Sequence, residues 1–366
     1  MRIALLTPTY WPEVRRGTER LVHDLATTLV ARGHEVTILT SHRGSPTSRR
    51  EDGVAVSRAW RPCERVPLNW YEHHLATAPA VAARLLRGRF DVAHAFFVVD
   101  ALAALWARRL GGPPVLASMH GIPTRPWLVR RRYRLEMIER VARGAEAVSV
   151  LSEAAASAYE RYFARRPQIL PGAVACADFA TDAQRSQPPF IFAPASFGDP
   201  RKRGALLAQG FERLRRARPE LELRVLETPD PVLSARAPAM PAGARLVRAP
   251  DTATLAALYN AAGATVLASR DEAFGLVLVE SLASGTPVCA ARSGACPEIV
   301  TDPLTGTLFD SDDPAALAAA IDATLELGAD PETAARCREA AAPHDWARVI
   351  ERYKKTYAGI RRSRAR

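Results

Sequence analysis

Two glutamates, Glu272 and Glu280, bracket an apolar run in the stretch SRDEAFGLVLVESLASGTPV, residues 269–288. A carboxylate can take both hydroxyls of a vicinal diol, so two of them along one surface suit a ligand carrying two sugar-like rings. The preceding GATVLAS reads as a buried strand, SRDEAFG as a loop at its carboxyl end, and FGLVLVESLAS as the helix that follows. Such a helix start offers the unpaired amides of Gly275, Leu276 and Val277 at the positive end of the helix dipole, a seat for a diphosphate. Gly275 lets the main chain approach that anion with no side chain in the way. The chemistry indicated is the grip of a nucleotide-sugar, with an acid on each side of a pyrophosphate. The spacing by itself is met better by a plain arrangement, Glu272 capping a helix and Glu280 facing solvent.

The elements that must position these residues alternate along the chain. RIALLT is a short buried strand, and Thr18 to Ala31 places Val22, Leu25, Ala26, Leu29 and Val30 on one helical face. EVTILT, VAVS, FDVAHAF, PVLASM, AVSVLS and PQIL follow as strand candidates with helical patterns between several of them, while SHRGSPTSRRED reads as a long surface loop. Near residue 180 the polar ATDAQRSQPP precedes a fresh apolar strand, FIFAP, and the alternation resumes with ELRVLE, GATVLAS and TPVCAAR. Helices are expected at roughly 203–218, 252–262, 275–284 and 314–327. This order predicts an α/β chain of two doubly wound, parallel-sheet domains, 1–180 and 188–344, facing a central cleft. Residues 345–366 form a last helix with Trp346, Ile350, Tyr353 and Tyr357 on one face and a basic tail.

Composition sets the outer limits. A 366-residue chain that is 48% hydrophobic and 24% charged supports two cores. Its five cysteines are odd in number and scattered, which argues against a disulfide framework or structural zinc and for a reducing, cytoplasmic setting. The N-terminus reads as no export signal, and no apolar run is long enough to span a membrane. The +11 net charge is lopsided: 26 arginines face 16 acids up to residue 180, whereas 24 cations face 23 acids beyond it. A basic first half can attract an acidic acceptor or an anionic lipid, and with 47 arginines against 3 lysines it is met as well by arginine-rich composition. Nucleic acid is not the expected partner. A nicotinamide dehydrogenase is disfavoured too, because TPTYWPEVRRGTE lacks the Gly-x-Gly-x-x-Gly of a dinucleotide site. DSDD, residues 310–313, imitates a metal-binding Asp-x-Asp, but Asp313 before Pro314 is placed as a helix cap and no metal site is read there.

SRDEAFGLVLVESLASGTPVCAARSGACPEIVTDPLTG, nearly forty residues, resembles the signature of family 4 retaining glycosyltransferases (glycosyl transferases group 1), which have the GT-B fold. The resemblance implies that Glu272 lies by the transferred sugar, that Glu280 binds ribose, and that Phe274, Gly275 and Leu276 lie at the sugar and diphosphate. RRGTERLVHDLATTLVARGHEVTILT resembles the family's first glycine loop and helix, which places Gly17 and Thr18 at the acceptor site; FDVAHAF and SMHG place His94 and His120 at strand ends facing the cleft. His120 is expected to contact the donor sugar and to assist proton movement. In FAPASFGDPRKRG, Lys202 fits the family's phosphate-binding lysine, and Arg201 or Arg203 replaces an arginine whose usual place is taken by Ala195 and Ser196. VLETPDP, residues 225–231, departs from the glycine-rich turn of relatives. The family implies metal-independent chemistry with no cofactor beyond the nucleotide-diphosphate-sugar, same-face attack assisted by the departing phosphate, and a last helix crossing back to the first domain. The acceptor is open: RPWLVRRRYR, residues 125–134, fits either a peripheral contact with anionic membrane or a solvated basic helix, and Trp60, Trp70, Tyr71, His73 and His74 fit either acceptor stacking or a satellite core. The alternative reading of the whole chain is a nucleotide-sugar-binding protein with little catalysis.

Overall fold

The computed structural model describes residues 1–61, 76–130, 132–180, 185–310 and 312–364. The chain divides into two compact units, Met1–Gly172 with Trp346–Arg366, and Ala173–Asp345.

The first unit runs β1 (Arg2–Leu6), α1 (Gly17–Ala31), β2 (Glu35–His42), β3 (Thr47–Glu51), β4 (Val54–Trp60), α2 (Ala78–Arg87), β5 (Val92–Ala95), α3 (Val98–Arg109), β6 (Val115–Met119), α4 (Arg125–Val129), α5 (Arg132–Gly144), β7 (Ala147–Val150), α6 (Glu153–Phe163) and β8 (Gln168–Ile169). Its eight strands lie in the order β3-β4-β2-β1-β5-β6-β7-β8, parallel except for the β3–β4 pair. β5, β6 and β7 are buried along their whole length, which is why they read as unbroken apolar runs: helices cover both faces of a parallel sheet. The stretch read as a surface loop contains β3. It is an edge strand whose Arg49 and Arg50 are exposed, so it carries none of the apolar alternation by which a strand is recognised.

The second unit runs β9 (Phe190–Ala193), α7 (Gly204–Ala217), β10 (Glu222–Leu226), α8 (Pro231–Ala235), β11 (Ala244–Val247), α9 (Thr252–Ala261), β12 (Ala264–Leu267), α10 (Leu276–Ala283), β13 (Val288–Ala291), α11 (Cys296–Ile299), β14 (Gly306–Phe309), α12 (Pro314–Ala329) and α13 (Thr333–Ala341). Its six strands follow the order β11-β10-β9-β12-β13-β14, the strand order of a Rossmann sheet. The order reverses between β9 and β12, which pair in parallel through Ala264↔Ile191 and Thr265↔Phe192. The expected helices occur within two residues of the ranges read from periodicity.

The division falls earlier than the polar stretch near 180 suggests. Residues 173–180 go with the second unit because Val174 N–H donates to the His344 carbonyl (3.0 Å), Cys176 N–H to Asp345 (3.0 Å), and the buried Phe179 ring meets Tyr259 edge-on at 6.0 Å. The final helix, α14 (Trp346–Arg364), belongs to the first unit. It buries Trp346, Ile350, Tyr353 and Tyr357, the face read from spacing.

Candidate active site

In an open parallel sheet, ligands settle beyond the carboxyl ends of strands where the strand order reverses. In the second unit the loops following β9 and β12 meet there, and the meeting point is an ion pair: Lys202 Nζ lies 2.6 Å from Glu272 Oε2. Asp199 caps the turn that carries Lys202, accepting from the Arg201 amide at 2.9 Å. The Arg270 amide donates to the Arg201 carbonyl (2.7 Å), which joins the two loops directly. Arg203 adds a second tie, donating to the Ala268 carbonyl and pairing with Asp312, which also receives Arg270. Burial pushes the Glu272 carboxyl up, but the Lys202 ammonium, aided by Arg201, outweighs it and holds the group below its ordinary value. Glu272 is therefore an ionised acceptor at neutral pH. Lys202 spends one of three N–H donors on it and keeps others for an anion.

The helix expected after this loop begins at Leu276, with Gly275 at its N-cap in the left-handed region, φ 97°. A side chain there would be strained whatever the space around it. The Leu278 amide returns to the Gly275 carbonyl at 2.9 Å, so the amides ahead of it have no acceptor within the helix.

The plain arrangement of the two glutamates does not occur. Glu272 sits upstream of the cap on Lys202, and Glu280 is 4% exposed, accepting the Tyr259 hydroxyl at 2.8 Å. Two further expected ligand residues have partners within the unit. The Phe274 ring is buried edge-on against His344 at 5.6 Å. Arg201 is mostly exposed with its guanidinium on Asp199 at 2.8 Å, while Arg203 braces the loops. The three aspartates of DSDD are occupied as well: Asp310 pairs with Arg292 at 2.8 Å, Asp312 with Arg203 and Arg270, and Asp313 caps α12 through the Ala315 amide at 2.9 Å. In place of a glycine-rich turn, Asp230 caps α8, accepting from Val232 N–H at 3.0 Å.

In the first unit, β1 and β5 flank the corresponding reversal. Thr18, at the start of α1, meets His120, just past β6, with Oγ1 to Nδ1 at 3.2 Å, and Phe96 packs edge-on against that imidazole at 5.4 Å. Burial lowers the His120 pKa to about 4, so the ring is neutral at neutral pH and takes part in hydrogen bonds as an uncharged imidazole. Gly17 is exposed beside Thr18. His94 does not face a ligand. It is fully buried, with Nδ1 on the Tyr357 hydroxyl (2.7 Å) and Nε2 on Ser118 (2.6 Å), and Ser118 continues to Ser149 at 2.5 Å. It fastens α14 to the sheet. Sequence reasoning passed over Glu19, buried one residue beyond Thr18 and accepting the Thr9 hydroxyl at 2.6 Å, which ties the loop after β1 to α1. An acid beside the glycine loop was its only signal. Of the aromatic cluster, Trp60 is 56% exposed, and Trp70, Tyr71, His73 and His74 lie outside the described residues. On α4, Val129 is 64% exposed, and Tyr133 on α5 is 40% exposed.

The profile of Glycosyltransferase Family 4 matches residues 15–177, and that of Glycosyl transferases group 1 matches residues 186–344. A phosphatidyl-myo-inositol mannosyltransferase of Mycobacterium leprae is 28% identical over 378 residues, covering 98% of this chain and 97% of the relative. Among solved structures, sucrose-phosphate synthase from Thermosynechococcus elongatus superposes with a TM-score of 0.80 at 21% identity over 98% of each chain. HepE of Anabaena in complex with UDP-glucose gives 0.76 at 17% identity, over 98% of this chain and all of the other.

Proposed function

This chain belongs to the family 4, group 1 glycosyltransferases and has the GT-B fold, and from that premise we propose that it moves a hexose from a nucleotide diphosphate to an acidic hydroxyl acceptor, with retention and without a bound metal. The observation that carries this reading is the Lys202–Glu272 pair across the β9–β12 reversal, next to the open amides of α10. The second unit holds the donor. Amides at Gly275 and Leu276 and the Lys202 ammonium take the diphosphate, Glu272 takes hydroxyls of the sugar, and Glu280, fixed by Tyr259, takes those of the ribose.

In the reaction, the bond from the anomeric carbon to the diphosphate oxygen breaks and its electron pair leaves with the phosphate. The acceptor oxygen bonds to the same face, and its proton passes to the departing diphosphate. The fixed positive groups meet the charge that develops there, which is the role a metal plays elsewhere.

The first unit holds the acceptor at Gly17, Thr18 and His120. Two features favour an acidic polyol: the charge excess of the first 180 residues, and the acceptor named in the Mycobacterium leprae relative, a phosphatidyl-inositol. A phosphoinositol headgroup combines a fixed negative charge with a ring of hydroxyls. A peripheral, cytoplasmic position at an anionic membrane accords with this choice and with the exposed Val129 and Tyr133 between arginines; among the described residues no helix is long and apolar enough to cross a membrane.

The test is acceptor-dependent release of nucleotide diphosphate from UDP-, GDP-, ADP- and TDP-hexoses, with free inositol phosphate and phosphatidylinositol vesicles as separate acceptors. Release from one donor, unchanged by EDTA and giving a product with the donor's anomeric configuration by NMR, is the expected outcome. Tight binding of a nucleotide-sugar with release no faster than buffer, for every acceptor tried, sinks the reading.

A further inference from the structure

The loop after β13 reads RSGAC, residues 292–296, and it lies against the backbone of Glu272 rather than its side chain. Ser293 Oγ accepts the Asp271 amide at 2.9 Å, and the Ala295 amide donates to the Glu272 carbonyl at 2.8 Å. Between these two bonds Gly294 turns at φ +58°. A Cβ at this position would stand 2.2 Å from the Glu272 carbonyl oxygen, 2.6 Å from its nitrogen and 2.9 Å from its carbonyl carbon. All three are main-chain atoms, so no rotamer change relieves the overlap and the peptide carrying Glu272 must move. Asp271, one residue before, itself lies at φ +50°, a conformation a non-glycine residue keeps only where its neighbours over-determine it.

We propose that Gly294 is a positioning residue for Glu272: its missing side chain lets the 293–295 turn press on the Glu272 peptide and so fix where the carboxylate stands over the ends of β9 and β12. Gly294 touches no substrate in this arrangement. It acts through Glu272, and the inference rests on the reading of Glu272 as the group that holds the transferred sugar. With its side chain on Lys202 and its main chain on Gly294, Glu272 is held from both ends. A shift of the peptide draws the carboxylate away from the ammonium and out of line with the sugar hydroxyls. Loss of alignment of this kind costs turnover more than binding, because the diphosphate contacts at Gly275 and Lys202 survive.

The experiment compares Gly294→Ala, Gly294→Asn and Ser293→Ala with Glu272→Gln, the double variant Gly294→Ala/Glu272→Gln, and Gly33→Ala as control. Gly33 is at φ +79° with nothing within 4 Å of an added Cβ, so it reports the strain of a left-handed residue alone. Asparagine tolerates that conformation but still brings a Cβ, so equal losses in Gly294→Ala and Gly294→Asn assign the effect to the close approach. Both are expected to lower kcat by about 100-fold while nucleotide diphosphate affinity, read by thermal shift, changes by less than about 3-fold. Gly33→Ala keeps wild-type kcat. Ser293→Ala, which deletes one hydrogen bond and folds readily, gives a smaller kcat loss in the same pattern. The double variant is no slower than Glu272→Gln alone.

A readout independent of activity is the Glu272 carboxyl titration by NMR. Lys202 and Arg201 from the preceding turn and the buried Cys296 thiol of α11 face this carboxyl. In Gly294→Ala its midpoint moves up as the carboxylate leaves Lys202. Unchanged kcat in Gly294→Ala, multiplied losses in the double variant, or an unmoved titration overturns the inference. If instead Glu272→Gln retains full activity, it is the site reading that fails, and the titration still decides whether Gly294 places Glu272.

Discussion

The ends of the strands are equipped in opposite ways in the two units. In the second, the loops after β9 and β12 carry fixed charge, Lys202 on Glu272, braced by Arg203 and Arg270 on Asp312 and by main-chain bonds at Arg201 and Glu272. In the first, the loops after β1 and β6 present a hydroxyl on a neutral imidazole, Thr18 on His120, backed by the Phe96 ring. One sheet reversal thus carries a charged pair, the other an uncharged hydrogen-bonding pair. Fixed charge needs bracing, because a buried carboxylate left alone is costly; a neutral histidine needs only burial.

The contrast is broken most sharply at Glu272. Glu272→Gln keeps the shape and removes the charge, and we expect kcat to fall by about 10²–10³-fold, with nucleotide diphosphate binding little altered. If turnover is unchanged, the second unit's charge is structural only. Lys202→Ala comes next. It strands a mostly buried carboxylate and lowers stability by about 2 kcal/mol, less than a fully buried pair because a fifth of the lysine side chain meets solvent. Diphosphate affinity should fall with it, and the Glu272 titration should rise, since the largest influence opposing burial is then gone. Wild-type stability should in turn decline as pH falls below 4.5 and toward the lower folded value, where the pair's contribution is lost.

The first unit should respond to pH in a different window. Between pH 6.5 and about 4 the unfolded chain binds a proton at His120 that the folded chain refuses, so stability drops as pH falls through that range. The fully buried His94, also held well below its ordinary value by burial, adds to the same slope. Urea midpoints against pH should therefore be flatter in His120→Gln than in wild type; an equal slope would show that the imidazole is not held neutral. The smallest expected effect is Tyr357→Phe. It removes the hydroxyl from His94 Nδ1 and leaves a buried ring nitrogen without its partner, at a cost of about 1–2 kcal/mol. Nucleotide binding should not move, because the loss is confined to the anchoring of α14.

How much of this was legible differs by region. The alternation of buried strands with amphipathic helices was readable because β1, β5, β6, β7, β9, β12 and β13 are buried on both faces. β3, β11 and β14 went unread; they are edge strands, and β3 and β11 carry exposed arginines where a buried strand would carry valine. At the site, Glu272 and Lys202 were legible as chemistry, and their contact across seventy residues was not. His94 shows the opposite failure: a histidine at a strand end reads as a ligand, and only its two buried partners, Tyr357 and Ser118, reveal it as an anchor.

What the amino-acid sequence determined by itself is the order of elements, the helix that begins at the Phe274–Gly275 pair, and the residue types available at each strand end. These follow from local periodicity and from backbone groups that every helix start leaves open. The tertiary structure decided which charges meet, which histidine is spent on packing, and that Gly294 must lack a side chain because Glu272's own backbone fills the space. Those are properties of atoms brought within a few ångströms by the sheet order, and no window along the chain contains them.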